Sequence, residues 1–140
     1  MRPVLRRFLI AVVVLASLAV VIAGWLILAM GSCDYRFISD STSPSGRYVA
    51  ELYGADCGMG SYYGVVVLRD VSAFELPKLD GAPAGTVVTD SFDTLDEGNA
   101  MFWDGETTFV LQYASGDAPA LRRTEWGGAR IETRHVQRAP

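Results

Sequence analysis

The chain has 140 residues, half of them apolar, and a formal net charge of −4 at neutral pH. Arg2, Arg6 and Arg7 are three of the 12 bases, so from residue 31 onward nine bases face all 16 acids, a balance of −7. An acidic body of that kind argues against nucleic acid and anionic lipid headgroups as main partners, while 110 residues suffice for one modest core.

Residues 1–7 form a short basic stub, and Phe8–Met30 then runs 23 residues without an ionisable side chain. As a helix it reaches about 35 Å, against a hydrocarbon core of roughly 30 Å. Val, Ile, Leu and Ala lie all round the cylinder and Ser17 is the one hydroxyl. A core helix of a soluble domain carries a polar stripe, so this pattern predicts a transmembrane helix over 8–30. The arginines ahead of it, with no acid among them, leave the N-terminus in the cytoplasm and send residues 31–140 outside. Trp25, Tyr35 and Phe37 suit a membrane–water interface. A cleaved signal peptide has a shorter apolar region, about 7–15 residues, so the expected form is an uncleaved signal-anchor in the cell membrane.

Both cysteines, Cys33 and Cys57, lie beyond the span. In an oxidising compartment the default for such a pair is a disulfide, with about 3–4 kcal/mol of stabilisation in the chain-entropy model. Their spacing matches neither a CxxC redox pair nor a zinc motif. Ala29-Met30-Gly31-Ser32-Cys33 offers the competing reading of a permissive bacterial lipobox, in which Cys33 is lipidated and Cys57 is left a lone thiol. The two fates of Cys33 exclude each other, and the disulfide is preferred.

Beyond the span the chain reads as an all-β extracytoplasmic domain. Tyr35–Ser39 is a short first strand, and Ser43-Pro44-Ser45-Gly46 is a turn, with Pro at its second position and Gly at its fourth. Arg47–Tyr53 alternates with period two and places Tyr48, Ala50 and Leu52 on one face. After the glycine-rich connection Cys57–Ser61, Tyr62–Leu68 is β-branched and apolar on both faces, as a central strand is. Residues 72–86 hold Pro77, Gly81, Pro83 and Gly85 and predict a long surface loop. Val87 and Val88 open a short strand, 90–99 is an acidic loop, and Ala100–Trp103 with Thr107–Tyr113 makes a hairpin facing Phe109, Leu111 and Tyr113 inward.

Leu121–Trp126 and Ala129–Val136 flank Gly127-Gly128, a two-residue hairpin turn. That register sets Glu125 opposite Arg130 and Arg123 opposite Glu132 on a solvent face, with Thr124, Trp126, Ala129 and Ile131 inward. Residues 120–140 hold five arginines and two acids, whereas 31–119 hold four bases and 14 acids. Pairing within the fold is preferred to a basic docking patch. About seven short strands predict an antiparallel sheet, as a sandwich or a partly open barrel, with no extended helix outside the membrane.

The run Ser43–Ala50, then Asp56-Cys57-Gly58, then Phe102–Gly105 and a strand ending in Tyr113 resembles a group of small bacterial exported domains, membrane-anchored or lipoprotein-like. Their pattern is Ser-Pro-Asp-Gly-x-Tyr-x-Ala, then Cys-Gly, then Trp. The match covers roughly 33–113, with Ser45 replacing the usual Asp and Met59-Gly60-Ser61 replacing Ala-Thr-Thr. The resemblance implies an exported all-β module and supplies no catalytic residues.

His135 is the sole histidine, so any Ser/His or Cys/His chemistry must use it, and its position on the last strand reads as an ordinary strand residue. Ser61 lacks the Gly-x-Ser-x-Gly setting of a nucleophile. Asp90, Asp93, Asp96, Glu97, Asp104 and Glu106 are oxygen donors, but without EF-hand spacing or its glycine, and read as a solvated loop. No pair among them stands out as a glycosidase couple. No catalytic residue, metal ligand or cofactor is therefore assigned. Tyr53, Tyr62 and Tyr63 are the candidate interaction surface, Tyr62 and Tyr63 pointing to opposite faces of one strand. The expected function is an anchored envelope accessory or protein-interaction module; a ligand- or calcium-binding sensor, a lipoprotein and, behind these, a hydrolase are the alternatives.

Overall fold

The computed structural model describes residues 3–31, 33–58, 60–76, 78 and 81–137. Arg2, Ser32, Met59, Pro77 and Arg138, on which parts of the sequence reading draw, lie outside them. The chain divides into two units, Met1–Ser32 and Cys33–Pro140.

The first unit is one helix, α1, Pro3–Met30. It starts five residues before the apolar run and takes in Arg6 and Arg7. Proline is tolerated in the first turn, where its missing N–H has no partner to lose. Pro3–Leu28 is long and apolar enough to cross a membrane, with a mean hydropathy of 2.8. Its hydroxyl is satisfied internally: Ser17 Oγ donates to the Val13 carbonyl at 2.8 Å, as a polar group among apolar neighbours must be.

The second unit is built from eight strands: β1 Asp34–Thr42, β2 Tyr48–Asp56, β3 Tyr62–Asp70, β4 Thr86–Phe92, β5 Ala100–Trp103, β6 Thr108–Tyr113, β7 Glu125–Trp126 and β8 Ala129–His135. The first sheet is an antiparallel meander in the order β1-β2-β3-β4, and the second has the order β5-β6-β8-β7. The β1–β2 and β2–β3 connections are short, whereas β3 and β4 are joined by the long 71–85 loop. At the β1–β2 turn Gly46 N–H donates to the Ser43 carbonyl at 2.8 Å, and the buried Ser43 hydroxyl accepts from Tyr48 N–H at 3.1 Å. Gly46 sits at φ +75°, where a Cβ is strained.

One core is shared by both sheets. Ala50, Leu52, Val66, Leu68, Val88 and Phe92 come from the first, and Phe109, Leu111 and Ile131 from the second. Trp103 and Trp126 pack at its margin. Their indole N–H groups donate to the Ser41 carbonyl and the Thr86 hydroxyl, both at 3.1 Å, so each large ring enters the core with its polar atom paired. Tyr48 lies between the two rings, 5.9 Å from Trp103 and 5.2 Å from Trp126.

Three expectations need correction. The second sheet is mixed, because β6 and β8 run parallel, Thr108 opposite Arg130 through Tyr113 opposite His135. The chain leaves β6, makes a connection of irregular backbone and the two-residue β7, and returns in the same direction. β4 extends to Phe92 and takes in Asp90, since Thr89 and Ser91 carry hydroxyls that bond to each other at 3.2 Å rather than ending the strand. The last hairpin is shorter than predicted: Glu125 does oppose Arg130 and Trp126 opposes Ala129, but Arg123 has no cross-strand partner and Thr124 is exposed. Arg130 instead approaches Glu132 two residues along its own strand, at 3.7 Å.

Candidate functional site

Alternation along β2 and β3 sorts their side chains. Ala50, Leu52, Val66 and Leu68 point into the shared core, so Glu51, Tyr53, Ala55, Tyr63, Val65, Val67 and Arg69 occupy the other face of the first sheet. A second apolar cluster forms there from Ala55, Val65 and Val67, with Tyr35, Tyr53, Tyr63 and Val87 packed against it. Phe37 on β1 stands directly opposite Tyr53. Their rings meet edge to face at 5.8 Å, and Phe37 remains 56% exposed.

A charged group is set among these rings. Arg69 Nη2 donates to Glu51 Oε1 at 2.6 Å, and Tyr53 Oη donates to Glu51 Oε2 at 2.8 Å. Glu51 lies opposite Val67, so Arg69 is its diagonal neighbour, within reach of a long side chain. The result is a carboxylate with both oxygens occupied. Burial first, and the hydrogen bond to Glu51 second, push the Tyr53 phenol up to about 12, so it stays a neutral donor at physiological pH. The hydrogen bond to Glu51 likewise holds Arg69 charged, against the opposing effect of burial.

The 71–85 loop brings the remaining parts. Gly85 has φ +112°, and a Cβ there would lie 2.5 Å from Val67 Cγ1 and 2.8 Å from the Leu68 carbonyl oxygen. Only glycine lets the loop backbone come so close to β3. Glu75 Oε2 lies over the same point. A hollow of about 370 Å³ opens between loop and sheet, lined by Glu51, Tyr53, Arg69, Phe74 and Glu75. Phe74 is 90% exposed and Leu76 72%, so both of these loop side chains stand in solvent.

The three predicted tyrosines do not share one surface. Tyr53 and Tyr63 lie on the outer face, whereas Tyr62 turns to the other face and lays its ring over Gly54, where any Cβ would collide with it. Cys33 and Cys57 are joined as a disulfide, one pair beyond the Asp34–Asp56 end of the β1–β2 ladder. The Tyr63 hydroxyl is 3.1 Å from Cys57 Sγ and 3.8 Å from Cys33 Sγ. Phe74 and the Glu51–Arg69 pair had no assignment in the sequence, and Phe37, read there as an interface aromatic, packs on Tyr53. The alternation that buried Ala50 and Leu52 placed Glu51 outward, and an apolar Phe in a Pro/Gly-rich loop was the available sign of Phe74.

Other candidates are dispersed. His135 is exposed on β8 with its ring 5.1 Å from that of Tyr113. Ser61 donates to the Gly58 carbonyl at 2.8 Å in the β2–β3 turn, on the other sheet. Most carboxylates of 90–106 have partners within the fold: Asp93 and Asp96 accept from the backbone N–H groups of Leu95 and Gly98, Asp90 pairs with Arg122, and Asp104 pairs with Arg134. Among the described residues no three His, Cys, Asp or Glu side chains gather as a metal-holding group. A larger, open hollow of about 570 Å³ lies at the Gly127–Gly128 hairpin, between Arg123, Glu125 and Arg130. No protein-family model matches the chain, and no curated protein or solved structure is detectably similar to it.

Proposed function

We propose that this protein is a single-pass membrane protein, anchored by α1 with its N-terminus in the cytoplasm, whose β unit works outside as a protein-interaction module of the cell envelope. In this reading the β unit is a two-layer sandwich rather than a barrel, of the small bacterial exported kind that its Ser-Pro-x-Gly-x-Tyr and Cys-Gly pattern resembles. It performs no catalysis, and its disulfide, in place of a lipid on Cys33, secures the start of the domain.

One observation carries the reading. The outer face of the first sheet presents Phe37, Tyr53 and the protruding Phe74 around a fixed polar centre. Aromatic side chains exposed beside a satisfied polar group are the residues that contribute most at interfaces, because they bury much area at small cost in conformational entropy. The −7 balance of residues 31–140 supports a protein partner over a nucleic acid. A photo-crosslinking residue placed at position 74 or 37 in living cells is expected to give one discrete adduct, and the same residue at position 128 none. Identical smears from all three positions, or no adduct at any, would remove the interaction role. Protection of the N-terminus alone in protease-treated spheroplasts checks the topology, and intact mass before and after reduction checks the disulfide against a lipid.

A further inference from the structure

Glu51 and Arg69 neutralise each other at 2.6 Å, and Tyr53 caps the free oxygen of Glu51. The remaining charge on the hollow is Glu75, which has no hydrogen bond or ion pair of its own among the described residues and acts on Arg69 only through space. Beside it stand the open face of Phe74, 90% exposed, and the neutral phenol of Tyr53. A carboxylate without a partner next to exposed aromatic rings is complementary to a cation that also has flat, weakly hydrated faces.

We propose that this hollow takes an arginine side chain from a basic segment of the partner protein, the guanidinium lying against Phe74 with its N–H groups toward Glu75. The inference rests on the interaction role given above and specifies the partner's chemistry. Charge complementarity runs the same way at longer range, since residues 31–119 carry 14 acids and four bases and steer a basic segment toward this unit. The hollow at Gly127–Gly128 is the internal contrast. It holds Arg123 and Arg130 beside Glu125, the sign that repels such a segment.

The test uses the full chain in a non-ionic detergent, titrated by calorimetry with Ac-Gly-Arg-Arg-Gly-amide and with its Gln-Gln counterpart. The arginine peptide is expected to bind saturably and the glutamine peptide not. Phe74→Leu keeps apolar bulk but removes the π face, and Glu75→Gln removes the charge; each is expected to weaken binding about 2- to 5-fold. Glu125→Gln, which changes the net charge equally, is expected to leave it unchanged. Absence of saturation with the arginine peptide, equal weakening by Glu125→Gln, or full affinity in Phe74→Leu would each overturn the proposal. Crosslinking from position 74 separates the two levels: a partner captured through an acidic or uncharged segment sinks the arginine site alone, and no partner sinks the interaction role beneath it.

Discussion

On the inner face of β2 and β3, Ala50, Leu52, Val66 and Leu68 meet Phe109, Leu111 and Ile131 across the sheets, and all are buried. On the outer face of the same two strands, Glu51, Tyr53, Tyr63 and Arg69 surround a small aliphatic patch and keep part of their surface in solvent. The backbone is common to both, so the difference lies wholly in the side chains. Apolar groups from two sheets fill space and leave nothing to recognise. Aromatic and charged groups on a single layer are half-packed, fixed by hydrogen bonds, and still available. One face holds the unit together, and the other keeps aromatic and charged groups at the surface.

Substitutions on the two faces should therefore separate stability from binding. The largest effect is expected inside. Phe109→Ala removes a fully buried ring and should cost about 3–5 kcal/mol in urea or thermal unfolding. A cost below that of any outer-face variant would break the contrast. Next comes the covalent tie at the ladder's end. Replacing Cys33 and Cys57 together by serine opens a loop with a sequence separation of 24 and should cost about 3 kcal/mol, with the unreduced wild type as reference.

Glu51→Gln sits between the extremes. It weakens the hydrogen bonds to Arg69 and Tyr53 and should cost about 1–2 kcal/mol. It also has a pH signature. Tyr53 holds its proton more tightly when folded, at about 12 against an ordinary 10.0. Its contribution is thus complete below the ordinary value and is lost as pH rises from there toward the folded value. Phenolate absorbance should show Tyr53 titrating late. In Glu51→Gln that tyrosine should ionise earlier, although burial keeps it above the ordinary range. The smallest stability effect belongs to Phe74→Ala, within about 0.5 kcal/mol because the ring touches solvent, yet this variant should weaken the interaction at least as much as Phe74→Leu. A stable Phe74→Ala that binds at full affinity would make the outer face mere surface.

The first sheet was largely legible before the structure. Tyr48, Ala50 and Leu52 share one face by period two, and a Pro/Gly turn and a glycine-rich turn bracket the strand. The β1–β2 and β2–β3 connections are short and leave few ways to pair, so pattern and order nearly define these three strands, while β4 follows the long 71–85 loop. The second sheet was less so. Its parallel β6–β8 pair joins residues 22 apart, as Thr108 with Arg130, through a connection without strong periodicity, and nothing local says which edge β8 will take. The site follows the same division. Tyr53 and Tyr63 were visible as strand aromatics, and alternation already set Tyr62 on the opposite face from Tyr63, but Phe74 reaches the hollow only because Gly85 lets a long loop lie on β3.

The sequence by itself determined an apolar helix of membrane-spanning length, an acidic all-β body beyond it, the strand that runs through the first sheet's centre, and which residues of β2 turn inward. These are consequences of hydropathy and period, which act over neighbouring residues. Only the tertiary structure decided that two sheets share one core, that β8 runs parallel to β6, that Arg69 and Tyr53 converge on Glu51, and that a loop completes the hollow beside them. Those features depend on side chains meeting across distant parts of the chain, where packing volume and hydrogen-bond partners, rather than local preference, select the arrangement.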